Sequence, residues 1–302
     1  MPSLVVKFWG TRGSIPCPGP ATAKYGGNTS CIEVQAGDNI CILDGGTGIR
    51  ELGIEIVKQK KFKRIHLFIS HTHWDHIQGL PFFTPLYSPA YEIDVYGPRP
   101  LEGSLEEAVL HQMQYKFFPV RGVELAARMT FHELDQETAD LGDTQVATKP
   151  MNHPIRVLAY KVQRDGKSVI YTGDNEPYYD IFLDAKLPDT QFIARSQFIK
   201  QCQDGVVEFV RNTDLLIADT QYTDEEYEQK RGWGHCSMSH VLDVARLGSV
   251  KRLALFHHEP THDDKFLDGM EAEAVKRMGK GKRGKKTKTR TFMAREGQTI
   301  RI

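Results

Sequence analysis

The sequence predicts an α/β protein of 302 residues, and three observations carry that expectation. Apolar runs of strand type recur from residues 4–9 to residues 299–302, bounded by Gly, Pro, Asn and Asp. Between them lie stretches with apolar residues at helical spacing, such as Ile49, Leu52, Ile56 and Val57. Finally, 40% hydrophobic content over this length suffices for one substantial core, and no Pro/Gly/Ser-rich linker divides the chain, so one domain over 1–302 is expected.

Composition excludes several function classes. Lys plus Arg and Asp plus Glu are 39 each, so no global field steers the chain toward nucleic acid or anionic membrane. Met1-Pro2-Ser3-Leu4-Val5-Val6-Lys7 carries no signal pattern and no apolar stretch spans a bilayer, so a cytoplasmic protein without membrane contact is expected. Cysteines 17, 31, 41, 202 and 236 form no Cys-x-x-Cys pair and are odd in number, which fits reduced thiols.

In order, residues 4–9 read as a strand and 10–27 as a long loop, a kind often functional in compact domains. In and beside it, Arg12 is a candidate for a phosphate oxygen and Asn28 for lining a site, with turn and packing roles competing. Strands follow at 31–35 and 39–44 around the turn Ala36-Gly37-Asp38. Asp44 closes the second, where it suits either an imidazole N–H partner or a helix cap. Gly45-Gly46-Thr47-Gly48 has no following Lys-Ser/Thr, so it is not read as a phosphate loop.

Residues 64–70 read as a strand leading into His71-Thr72-His73-Trp74-Asp75-His76, with a short helix entered at Asp75. Imidazole nitrogens and a carboxylate suit zinc, manganese or iron, and this spacing can supply two metal positions from one turn. Further on come a strand at 92–96 and a helix around 101–111. Residues 112–121, with Tyr115, Phe117, Phe118 and Pro119, read as neither element; they could wall a pocket for a planar group or pack in a core. His153 precedes the strand 155–162, the strand 168–172 ends in Gly173-Asp174, and the strand 253–256 ends in His257-His258. These last two face opposite ways, so only one can enter a site. Thr261 is expected to cap the next helix, and His66, His111, His132 and His240 are read as structural, without acid neighbours.

The run from His71 to His76 resembles the signature of the metallo-β-lactamase superfamily. That resemblance implies a four-layer αββα sandwich, two mixed β-sheets flanked by helices, which the scattered strand–helix order permits. It implies one divalent ion on His71, His73 and His153, and a second on Asp75, His76 and His257. Asp174 bridges them, Asp75 also orients the hydroxide, and His257 is preferred to His258. Zinc comes first, with manganese or iron as alternatives.

Residues 215–220 and 232–237 are similar to the phosphodiesterase branch, which includes ribonuclease Z and small cyclic-nucleotide phosphodiesterases. There an acid orients a histidine that contacts the scissile phosphate or protonates the leaving alkoxide, roles that fall on Asp219 and His235. Ribonuclease Z has Glu at the position of Asp219, and His-Ser-Thr where this chain has His235-Cys236-Ser237. About twenty residues separate His153 from Asp174, too few for a strand pair plus a tRNA-gripping arm.

The expected activity is metal-dependent phosphodiester hydrolysis, favouring a cyclic nucleotide or other small phosphodiester. RNA-processing nuclease and lactam or thioester hydrolase are alternatives, ahead of a non-enzymatic nucleotide-binding protein. A cap-like insertion is expected at 175–213, with Tyr178, Tyr179, Phe182, Phe192 and Phe198. A basic loop at 276–290, with nine Lys or Arg and no acid, reads as solvated. Nucleic acid is not favoured as a partner, and a homodimer is compatible with the sequence.

Overall fold

The computed structural model describes residues 3–179, 189–279 and 288–302. The first part of the chain runs β1 (Val5–Gly10), β2 (Cys31–Ala36), β3 (Asn39–Leu43), α1 (Ile49–Gln59), β4 (Arg64–Phe68), α2 (Trp74–Ile77), β5 (Glu92–Pro98), α3 (Leu105–Leu110) and β6 (Arg128–Leu134). Next come β7 (Thr138–Asp140), β8 (Gln145–Met151), β9 (Val157–Arg164), β10 (Lys167–Tyr171), α4 (Asp189–Phe209), β11 (Leu215–Asp219) and α5 (Asp224–Lys230). The chain finishes with α6 (Met238–Leu247), β12 (Arg252–Phe256), α7 (Asp264–Gly279), β13 (Arg290–Met293) and β14 (Thr299–Arg301).

Two seven-stranded sheets result, ordered β14-β1-β2-β3-β4-β5-β6 and β13-β12-β11-β10-β9-β8-β7. Both are mixed: β3 to β6 and β10 to β13 pair in parallel, and the remaining neighbours are antiparallel. Alternation along each strand splits the apolar residues between two faces. Phe8, Val34, Leu43 and Phe68 of the first sheet meet Tyr160, Tyr171, Ile217 and Phe256 of the second in a central core. Outside the first sheet, Ile42, Ile65, Leu67 and Ile93 lie under Leu52 and Ile56 of α1 and Leu105 and Val109 of α3. Outside the second, Ile170, Leu216 and Leu255 pack on Val241 and Leu242 of α6 and Leu267 and Met270 of α7. The expected four-layer sandwich is therefore the observed one. Strands covered on both faces read as unbroken apolar runs, and β11 is buried at every residue.

This topology sets the carboxyl ends of β4, β10, β11 and β12 side by side, the usual place for a site in such sheets. The sheets are tied there directly: Leu158 N–H donates to Ser70 O at 3.0 Å and Tyr160 Oη to Ile69 O at 2.6 Å. Between His153 and Asp174 the chain makes only the hairpin β9–β10, closed by Asp165 and Gly166 at φ 49° and 69°. Positive φ at both central residues is the tight turn that matches strand twist.

Several elements differ from the sequence reading. Strand β5 extends two residues past 96, and the helix expected around 101–111 is α3, whose Ser104 and Glu107 form a capping box. Strand β6, partly exposed along most of its length, and the short edge strand β7 give weak apolar patterns. Helix α7 begins at Asp264, with Asp263 rather than Thr261 accepting from Phe266 N–H at 2.7 Å, because Asp263 stands at the turn itself. Much of 175–213 is α4, whose Val206 packs on Met151, Val157 and Ala159. Phe182 and the Phe192 side chain lie outside what the structure describes, as do residues 280–287 of the basic loop. Among the described residues no helix is long and apolar enough to cross a membrane.

Candidate metal centre

The turn after β4 is anchored from below by Asp44. This residue sits just past β3 in the left-handed region at φ 64°, which Asp tolerates better than most residues. Its Oδ1 accepts Ser70 N–H at 2.6 Å, and its Oδ2 accepts Ser70 Oγ–H at 2.8 Å and Tyr171 Oη–H at 2.7 Å. That oxygen also lies 2.6 Å from His76 Nδ1, so this nitrogen carries the proton and Nε2 faces inward. Of the two roles the sequence left open for Asp44, the structure places it on an imidazole.

Two further imidazoles are oriented the same way. His153 Nδ1 donates to Gly234 O at 2.9 Å. His257 Nδ1 donates to Gln221 Oε1 at 2.9 Å, and the Gln221 amide is itself fixed by Nε2 donating to Glu259 Oε2 at 2.6 Å. Since a carbonyl can only accept, each of these rings presents an Nε2 lone pair to the interior. Ring orientation by an outer acceptor is what histidines need in order to ligate.

Two groups of inward atoms result, sharing Asp174. In the first, His71, His73, His153 and Asp174 offer ligand atoms all within 4.8 Å of one another. His71 Nε2 and His153 Nε2 lie 3.0 and 3.1 Å from His73 Nδ1. In the second, Asp75, His76, Asp174 and His257 converge as closely. Asp75 Oδ2 and Asp174 Oδ2 each lie 3.2 Å from His76 Nε2, and His257 Nε2 is 3.2 Å from both Asp75 Oδ2 and Asp174 Oδ1. Among the described residues, buried His76 Nε2 and Asp174 Oδ1 have no hydrogen-bond partner. Orphaned buried atoms are rare, and lone pairs crowded around a carboxylate are what a divalent cation accommodates; the donor set fits one at each group.

Backbone conformation brings Asp174 in. Gly173 takes φ 60°, and a Cβ there would stand 2.8 Å from Ser70 Cβ, so the turn closes against the first sheet only as glycine. His257 is itself left-handed at φ 63°, a strained state for histidine of the kind that clusters at functional sites. Asp75 Oδ2 is also held, by Ser14 N–H at 2.7 Å from the long loop after β1.

The electrostatics follow from burying Asp44, Asp75, Asp174 and Asp219 together. Burial alone would raise the Asp174 carboxyl, but His257, His76 and His71 hold it well below the usual range. His76 runs the other way: burial opposes its charge, yet Asp174, Asp75 and Asp44 raise it well above an ordinary histidine. Such a set demands positive charge among its carboxylates. On the other side, desolvation lowers His71 well below its ordinary value and takes His153 down to about 4, so both are neutral and able to ligate.

Beside this centre stands a third group. His235 Nδ1 lies 3.0 Å from Asp219 Oδ2 and 3.9 Å from Asp174 Oδ2. Asp219 is locked by Asn175 N–H at 3.1 Å and Gln221 N–H at 3.2 Å. Burial opposes charge on His235, but Asp219 outweighs it and lifts the imidazole to about 9. The loop carrying it is clamped by Glu176, whose carboxylate accepts Tyr227 Oη–H at 3.0 Å, Gly232 N–H at 2.7 Å and Gly234 N–H at 3.1 Å. Gly234 sits at φ 91°, and a Cβ there would be 2.3 Å from His153 Nδ1.

His71, His73, Asp75, His76, His153, Asp174, Asp219, His235 and His257 are thus brought together. Arg12 and Asn28, expected toward substrate, are engaged elsewhere. Arg12 is fully buried, donating to the carbonyls of Gly26, Glu259 and His262 at 2.9, 3.0 and 2.7 Å, so it clamps loops. Asn28 is taken up by Glu296 and Thr47. His258 points away, to Ala294 O at 2.7 Å. His66 and His132 flank Asp94 at 3.5 and 3.3 Å, an acid neighbour the sequence did not reveal because β5 supplies it. Ser14, Glu176 and Gln221 went unforeseen; standing two residues past Asp174 and Asp219 was the only available hint for the last two.

Residues 42–258 match the family described as beta-lactamase superfamily domain. The ribonuclease Z of Thermoplasma volcanium is 25% identical over 294 residues, covering 87% of this chain and 89% of that protein. Among solved structures, the metallo-beta-lactamase fold protein YhfI from Bacillus subtilis superposes with a TM-score of 0.67 at 18% identity over 99% of both chains. A diphosphatase from the PhnP family superposes with a TM-score of 0.65 at 16% identity, over 99% of this chain and 98% of that one.

Proposed function

The chain belongs to the beta-lactamase superfamily, and on that premise we propose that it is a metal-dependent phosphodiesterase acting on a small phosphodiester, a cyclic nucleotide in the first instance. His71, His73 and His153 would hold one divalent cation, Asp75, His76 and His257 a second, and Asp174 both; zinc comes first, with manganese or iron as alternatives. A bound pair of cations supplies water activated near neutral pH and charge neutralisation for a phosphoryl group.

The observation that carries the reading is the Asp219–His235 pair beside the metal centre. With Nδ1 held by Asp219, His235 keeps its second N–H for the substrate side. At about 9 it is charged at neutral pH, suited to donating a proton to a departing alkoxide or contacting a phosphate oxygen. The thiolate of a thioester departs without such a donor, which favours phosphodiesters over thioesters. Asp75, held by Ser14 N–H, would orient the attacking water.

A second reading is RNA processing, supported by likeness to a protein named ribonuclease Z. Against it, a two-residue turn closes β9–β10, where the resembling nuclease carries its tRNA-gripping arm.

The test is a turnover panel on zinc- or manganese-loaded protein: bis-p-nitrophenyl phosphate, a cephalosporin, a glutathione thioester, cyclic mono- and dinucleotides, and tRNA with a 3′ extension. Phosphodiester turnover with cyclic nucleotides ahead of tRNA is expected. Hydrolysis of the thioester alone would overturn the reading, and trailer removal as the fastest reaction would replace it with the second.

A further inference from the structure

The turn that carries the metal ligands has two faces. His71, His73, Asp75 and His76 point inward, whereas Thr72, Trp74, Ile77 and Gln78, from the same run, line a groove of about 830 Å³. Trp74 is 79% exposed although it stands between two inward-pointing residues, and Phe117, which lines the same groove, is 61% exposed. Trp74 begins α2 and its carbonyl accepts Gln78 N–H at 2.7 Å, so its backbone is fixed relative to the centre. A large exposed indole at a rigid position is a ready stacking surface.

We propose that this groove receives a purine or pyrimidine base of the substrate, stacked on Trp74, while its phosphate sits at the metal centre. The inference rests on the phosphodiesterase reading for what the centre holds, and adds where the base of such a substrate is held. A flat heterocycle gains from an aromatic face whichever base it is, because every base has a π-face. Groove size agrees, since small-ligand sites run from about 300 to 1,000 Å³. Gln112 in the wall donates its Nε2 to Ile77 O at 2.9 Å and Val109 O at 3.2 Å, which turns its Oε1 into an acceptor for an exocyclic amino group.

The test compares binding of adenosine 5′-monophosphate and ribose 5-phosphate, which differ only by the base, to metal-loaded protein by calorimetry. The nucleotide is expected to bind about tenfold tighter or more, as stacking predicts. Trp74→Ala should abolish the difference and Trp74→Phe should keep most of it. Equal affinities in the unaltered chain, or a preference that survives Trp74→Ala, would overturn the proposal. Release of p-nitrophenol from bis-p-nitrophenyl phosphate, followed on the same samples, judges the phosphodiesterase reading separately. Failure there with a Trp74-dependent base preference intact leaves a base site beside a centre of other chemistry.

Discussion

Asp44 Oδ2 lies 2.6 Å from His76 Nδ1, and the same carboxylate receives Ser70 N–H, Ser70 Oγ–H and Tyr171 Oη–H. One buried side chain therefore sets the ring of His76 and the start of the turn that supplies four candidate ligands. Asp44→Asn keeps the left-handed backbone accessible but offers an N–H where acceptors are needed. Cation affinity is expected to fall about 10- to 100-fold, the usual range for loss of such a partner, read by competitive zinc titration. Unchanged affinity would mean that Asp44 serves only the fold.

Glu176 anchors three donors of the 227–234 segment, and the Gly234 carbonyl in turn orients His153. Glu176→Gln should lower stability by about 1–3 kcal/mol in urea melts, as expected for buried charge-assisted bonds. It should also weaken retention of any cation at the His71–His73–His153 group more than at the Asp75–His76–His257 group, separable as two steps in a metal titration.

His235 is raised above its ordinary value to about 9, so its charge persists through neutral pH and is lost as pH rises through that value. Neighbouring cations would draw this down, placing the alkaline limb of kcat at or below about 9. Replacing His235 by Ala should remove that limb and slow turnover of an alkyl-leaving phosphodiester about 10²- to 10⁴-fold. A p-nitrophenyl ester, whose leaving group needs no proton, should lose far less, and metal content should stay intact. Equal losses on both esters would argue against proton donation.

Burial lowers His258 to about 3, with Nε2 donating to Ala294 O. Its folded value lies below the unfolded one near 6.5, so the stabilisation is complete above about 6.5 and is lost as pH falls toward 3. Across that window His258 should contribute about 1.4 kcal/mol of stability per pH unit, and His258→Gln should flatten the slope in urea melts with chelator present. An unaltered slope would place the acid sensitivity elsewhere.

How much was legible in the sequence depended on how local each relationship was. The run His71 to His76 puts four inward groups on one turn, so spacing alone showed it. His153, Asp174 and His257 could be found because each ends or precedes an apolar strand, a pattern written in consecutive residues. Gln221 and Glu176 act across 36 and 58 residues of chain, and nothing in local composition says where their amides and carboxylates reach. Arg12 misled for a related reason: a charged residue in a loop near a site reads as available, whereas three carbonyls, one from its own loop and two from the distant segment 259–262, enclose it. Strands such as β6 and β7, half in solvent, lack the apolar contrast that made β11 obvious.

The candidate ligands are divided between the halves of the sandwich: His71, His73, Asp75 and His76 follow β4, whereas His153, Asp174 and His257 follow β8, β10 and β12. Any ion held by both sets therefore acts as a rivet through the rim of two leaves. It should make resistance to unfolding climb with free metal as RT ln(1 + [M]/Kd), about 2.7 kcal/mol at a hundredfold excess over Kd. Chelation would then pry the leaves apart first at the edge where chemistry takes place, so hydrogen exchange in the apoprotein should quicken at the ends of β4 and β10 before it does at β1 or β14.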